Sequence, residues 1–141
     1  MAMAGNMIDA RGKFEFETDH EVGTGSFELS YRTSGKKATG RLVFGGEGIH
    51  IDHAPALSPG EGYPDVTVTI EDIPDAKIKG GTATITAMGR LHQEPVKIDI
   101  KVTDSGSKSV ADTFWIRCRA LDGRVYFAVG GSLIHGDVIL R

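Results

Sequence analysis

Apolar side chains recur at every second position along most of this chain. Phe14 and Phe16 alternate with Lys13, Glu15 and Glu17, and Phe27, Leu29 and Tyr31 alternate with Ser26, Glu28, Ser30 and Arg32. Val66, Val68 and Ile70 are separated by Thr67 and Thr69, while Ala83, Ile85 and Ala87 are separated by Thr84 and Thr86. Val96, Ile98, Ile100 and Val102 alternate with Lys97, Asp99, Lys101 and Thr103. Successive side chains of a strand point to opposite faces, so each run predicts a strand with one buried and one wet face. That alternation belongs to antiparallel sheets, because buried parallel strands read as unbroken apolar runs.

Further strands are predicted over 37–44, 48–53, 112–121, 123–129 and 132–140. Turn clusters separate them: Ser34-Gly35, Gly45-Gly46, Ser58-Pro59-Gly60, Gly80-Gly81, Asp104-Ser105-Gly106, Asp122-Gly123 and Gly130-Gly131. Asp122-Gly123 is the clearest hairpin signal. About ten strands, short links and no amphipathic helix predict an all-β fold, an antiparallel β-barrel or barrel-like sandwich built mostly as a hairpin meander. The stretch from Ala54 to Pro64, with three prolines and two glycines, reads as a long loop. Residues 1–10 read as an N-terminal segment that could in part be an expression remnant, and 11–141 as a single β domain.

Composition narrows the functional classes. Lys+Arg 16 against Asp+Glu 19 leaves a net charge of −3, which argues against a dedicated nucleic-acid binder. No apolar stretch approaches the roughly 18 residues of a membrane-spanning helix. The 19 glycines point to many turns. Cys118 is the single cysteine and forms no internal disulfide, which suits a reducing compartment or a disulfide-free exported domain. The N-terminus lacks a basic region followed by an apolar core, so the chain reads as cytoplasmic as it stands, and as exported if a signal was removed.

The second half carries a family resemblance. The segments Gly81–Ala87, Val102-Thr103-Asp104-Ser105-Gly106, Asp112-Thr113-Phe114 and Gly136-Asp137-Val138-Ile139, with the earlier Gly25–Tyr31, resemble the post-COAP domain. That family is a small all-β domain attached to larger, often exported prokaryotic proteins. The resemblance spans roughly residues 10 to 141 and implies a non-enzymatic accessory domain, without naming a ligand or catalytic residues.

Several polar groups deserve testing as chemistry. His50, Asp52 and His53 offer two imidazoles and a carboxylate within four residues, but a strand would point His53 away from the other two. Metal binding is not expected from them without further ligands. His135 and Asp137 share a strand face, and a carboxylate-oriented histidine is a general base. With His50 and Asp52 they are the acid–base candidates, yet no third positioned group completes a catalytic set. No nucleophile elbow, phosphate-binding loop or Cys pair is present. Ser109, Asp112 and Thr113 read as turn hydrogen bonding. No cofactor is expected.

Trp115 alternates with Phe114, Ile116 and Cys118, which places it on one face with Arg117 and Arg119. If Phe114 faces the core, Trp115, Arg117, Arg119 and Tyr126 of the next strand form an outward aromatic-cationic stripe. Trp and Arg are enriched at interfaces. The alternative is a Trp packed under arginine stems as a local cation–π contact. In the last strand Leu133 and Ile139 share one face while Ile134, Val138 and Leu140 share the other, so it is central or covered by another chain. The leading expectation is a non-catalytic structural or interaction domain that self-associates or docks on a protein partner. A lipocalin-like barrel holding a small apolar ligand among Phe14, Phe16, Phe27, Phe44 and Phe127 is second. A barrel-type cyclase or isomerase is third.

Overall fold

The computed structural model describes residues 6–17, 22–34, 36–47, 66–107 and 109–141. Nine strands are present among them: β1 (Met7–Glu17), β2 (Val22–Ser34), β3 (Lys37–Glu47), β4 (Val66–Ile70), β5 (Lys77–Lys79), β6 (Thr82–Leu91), β7 (Glu94–Thr103), β8 (Thr113–Arg119) and β9 (Val125–Leu140). Their order in the sheet is β4-β3-β2-β1-β9-β8-β7-β6-β5, every pairing is antiparallel, and β4 also pairs with β6. The last pairing, Val68 with Leu91 and Thr69 with Arg90, closes eight strands into a barrel and leaves β5 hanging outside on β6. The expected all-β antiparallel barrel is therefore the fold, with nine strands among the described residues against about ten expected.

The alternating pattern sorts as expected. Phe14, Phe16, Phe27, Leu29, Tyr31, Val66, Val68, Ile70, Ala83, Ile85, Ala87, Val96, Ile98, Ile100 and Val102 all face inward and are buried. Six phenylalanines fill the barrel. The Phe114 ring lies 3.9 Å from that of Phe27 and 5.6 and 6.0 Å from those of Phe14 and Phe44 (centroid to centroid), so β8 is stapled to the opposite wall. Phe127 stacks on Phe44 at 6.2 Å. Such pairs contribute about 0.5–1.5 kcal/mol each beyond their buried area. The rings proposed to line a ligand cavity pack against one another.

The start of the first strand and the end of the last are tied together. Met7 N–H donates to the Arg141 carbonyl at 2.8 Å and Arg141 N–H to the Met7 carbonyl at 2.9 Å, so β1 and β9 form a seam. Ile8 and Ala10 are core residues of β1, and the barrel begins before residue 11.

Two glycine pairs expected as turns lie inside strands instead. Gly45-Gly46 belongs to β3, and Gly130-Gly131 runs through β9, which joins the two strands expected at 123–129 and 132–140. A Cβ on Gly130 would sit 2.7 Å from the Phe114 carbonyl oxygen, so glycine here permits close strand approach rather than reversal. By contrast Gly80 and Gly81, with φ of 60° and 82°, do make a two-residue hairpin turn between Lys79 and Thr82. Asp122-Gly123 also turns as expected, with Gly123 N–H donating to the Ala120 carbonyl. The strand expected at 48–53 and the loop from 54 to 64 lie outside the described residues.

Two bulges break the period of two in β9. Cys118 pairs with Phe127 but Arg119 with Val125, leaving Tyr126 as the extra residue; Lys13 pairs with His135 but Phe14 with Leu133, leaving Ile134 extra. Counting by twos across each bulge therefore assigns the wrong face. Leu133 and Val138 are both buried, whereas Ile134 is exposed, which corrects the face assignment of the last strand. The strand lies between β1 and β8 in the barrel wall, and its outward Ile134 is 54% exposed.

Candidate functional site

The outward side chains of β6, β7, β8 and β9 meet in register. One row across the strands is Thr86, Asp99, Arg117 and Ala128; the row on one side is Thr84, Lys101, Trp115 and Gly130; the row on the other is Met88, Lys97, Arg119 and Val125. Trp115, Arg117 and Arg119 thus occupy one outer face, as the alternation with buried Phe114, Ile116 and Cys118 requires.

Asp99 organises this face. It is the one buried charged residue among the described residues, 9% exposed. Its Oδ1 accepts from the Thr86 hydroxyl at 2.9 Å and from an Arg119 terminal nitrogen at 3.1 Å, and its Oδ2 accepts from Arg117 Nε at 2.9 Å. Arg119 Nε also lies 2.9 Å from Oδ2. Burial pushes the Asp99 carboxyl up, but the Thr86 and Arg117 hydrogen bonds and the charges of Arg119 and Arg117 outweigh it and hold it below the usual carboxylate range. The Arg117 guanidinium carbon stands 5.6 Å from the Trp115 ring centroid, a cation–π contact. The arginine-over-Trp packing weighed from sequence is therefore present, and it presents the residues in a fixed arrangement rather than removing them from the surface.

Tyr126 is not part of the stripe. The bulge turns it inward, where it is 3% exposed; burial first, and then the nearby Glu94 carboxylate, raise its phenol. Val125 takes its outward place opposite Arg119, 43% exposed, and Met88 at the other end of that row is 51% exposed. Cys118 is fully buried, and burial together with Glu94 pushes its thiol up to about 12, so it is an inert core group.

Of the acid–base candidates, the described pair His135 and Asp137 is not joined by a hydrogen bond. His135 and Asp137 both face outward, on either side of Gly136, but the Asp137 carboxyl turns to Asp112 and to the Val138 N–H, its Oδ1 accepting at 3.0 Å. Asp112 Oδ2 accepts from that same N–H at 2.8 Å and its Oδ1 from Ser105 N–H at 2.9 Å. These two amide bonds outweigh burial and lower the Asp112 carboxyl, while Asp137 is raised by its contact with Asp112. The pair latches the loop before β8 to β9. Ser107 and Ser109 complete that loop's hydrogen bonding, as turn residues do. His50, Asp52 and His53 lie outside the described residues, among which no group of three or more His, Cys, Asp or Glu is placed to hold a metal. Nor is any helix there long and apolar enough to cross a membrane.

A second surface feature lies on the opposite wall. There a depression of about 800 Å³ runs from β9 to β4, lined by Arg11, Lys13 and His135 above Gly12, Gly45 and Gly136. It is open and shallow, and forms because Ser26, Gly45 and Thr67 leave one row of the wall low.

No family model matches the chain, and no curated protein or solved structure matches it. The site must speak for itself. Sequence reading located Trp115, Arg117 and Arg119 but missed Asp99, which sits between Lys97 and Lys101 on the wet side of its strand. Its signal was present as the one carboxylate on that side of the run, but its importance depends on strand register.

Proposed function

We propose that this protein is a non-catalytic interaction domain whose docking face is the outer wall around Trp115. The observation that carries the reading is the Asp99 clamp. It holds two arginines and, through Arg117, the tryptophan in one geometry before any partner arrives, which lowers the ordering cost of binding. Trp, Arg and Met are the residue types enriched where proteins meet, and Met88 and Val125 border the same patch. The resemblance to the post-COAP domain, with no mapped catalytic residues, supports the same reading. Barrel filling by stacked phenylalanines speaks against the ligand-in-barrel alternative, and the separation of His135 from the Asp137 carboxyl speaks against a cyclase or isomerase.

The test is native mass spectrometry of the protein beside Trp115→Ala/Arg117→Ala. A multiple of 15.1 kDa that reverts to the single mass in the variant supports self-association through this face. A wild-type monomer assigns the face to a foreign protein. A multimer that persists unchanged in the folded variant contradicts the reading.

A further inference from the structure

Charge is distributed unevenly around the barrel. On the outer wall, Lys77 and Lys79 of β5 and Arg90 of β6 face outward, and so do Lys97 and Lys101 of β7 with Arg117 and Arg119 of β8. Asp99 is the one outward carboxylate on those four strands. A chain with a net charge of −3 thus gathers seven cations against one anion on a single wall. Asp99 is spent on the two arginines, so the lysines keep their full positive field.

We propose that the partner of this wall is an acidic segment of another protein, lying across β5–β8, with apolar contact at Trp115 in one row and at Met88 and Val125 at the two ends of another. The proposal rests on the docking reading above and names the partner's chemistry. Lys97 and Lys101 stand about 13 Å apart along β7, on the two sides of the Asp99 row. They give carboxylates two anchor points, Lys101 opposite Trp115 and Lys97 opposite Arg119. A nucleic acid fits this wall less well. Non-specific single-strand binding uses several open aromatic faces on which successive bases stack. Here Trp115 is the single tryptophan and Arg117 already covers its ring. Acidic side chains need only the lysines' point charges, and Met88 and Val125 supply apolar contact that a phosphate backbone does not use.

Trp115 is also a built-in reporter, so the test is a fluorescence titration with poly-L-glutamate, with poly-L-lysine and a twenty-nucleotide oligo-dT in parallel. The expected result is a saturable change with poly-L-glutamate alone, weakened by salt and weakened about tenfold by Lys97→Glu/Lys101→Glu. Both lysines are exposed, and circular dichroism of the variant checks its fold. Absence of a response to poly-L-glutamate, equal binding of the variant, or tighter binding of oligo-dT overturns the proposal. If poly-L-glutamate fails while Trp115→Ala/Arg117→Ala still dissolves an assembly, the docking face stands and the acidic partner falls. A dimer broken by the lysine reversals, without poly-L-glutamate binding, replaces the foreign segment with a second copy.

Discussion

The two outer walls of this barrel use similar strands for different ends. On β1–β4, Arg11, Lys13, Arg32, Lys37 and Arg41 are balanced by Asp9, Glu15, Glu17, Glu28 and Glu47, and register sets Arg11 opposite Glu28. On β5–β8 one carboxylate faces seven cations. Balanced cross-strand charges stabilise a sheet modestly and leave a bland surface. Unbalanced charge costs self-repulsion, which Asp99 offsets at the two arginines of β8. A wall that keeps such repulsion is suited to a partner of opposite sign.

The largest expected effect tests whether the walls are one cooperative body. Phe114→Ala removes the ring that touches Phe14, Phe27 and Phe44 from across the barrel. It should cost about 4 kcal/mol in denaturant unfolding, with one transition for both walls. Two separated transitions would break the comparison at its root, because each wall would then fold on its own.

A smaller effect belongs to Asp99→Asn. Loss of the carboxylate leaves two half-buried arginines without their counter-charge, and should cost about 1–2 kcal/mol at pH 7, reduced by solvent screening at Arg117. The folded Asp99 carboxyl is held low, so its stabilisation is present above the unfolded value near pH 4 and disappears as pH falls through the folded value. Asp99→Asn should therefore flatten the acid end of the stability profile, measured by urea melts from pH 6 to pH 2. An unchanged profile would show that the clamp contributes nothing in solution.

Asp137→Asn should have the smallest effect and the opposite sign. Asp137 is raised by Asp112, so its ionised form is disfavoured in the fold, and stability that this group contributes in acid is lost as pH rises through the raised value. The amide removes that repulsion and can donate to Asp112. At pH 7 a gain below about 1 kcal/mol is expected, because Asp137 is exposed and solvent screens its repulsion with half-buried Asp112. A loss of stability would show that the charged pair is not the strained one.

The sequence made the barrel legible because a filled interior demands strict alternation, and Phe27, Ile98 and Phe114 each obey it. It was silent where backbone geometry overrides that period. Tyr126 and Ile134 are bulge residues, and no local pattern distinguishes a bulge from regular strand. Gly130-Gly131 has the composition of a turn but is needed for strand contact. The stripe of Trp115, Arg117 and Arg119 was readable within one strand. Its organiser Asp99 lies on another, and the Asp112–Asp137 latch joins a loop to a distant strand, so both required the register to be known.

The most direct measurement is amide shift mapping of the nitrogen-15-labelled protein during addition of poly-L-glutamate. The account predicts movement at Lys97–Lys101 and Trp115–Arg119, with Arg11, Lys13, Arg32 and Arg41 of the balanced wall unmoved. Shifts centred on the balanced wall, or none on either, would contradict it.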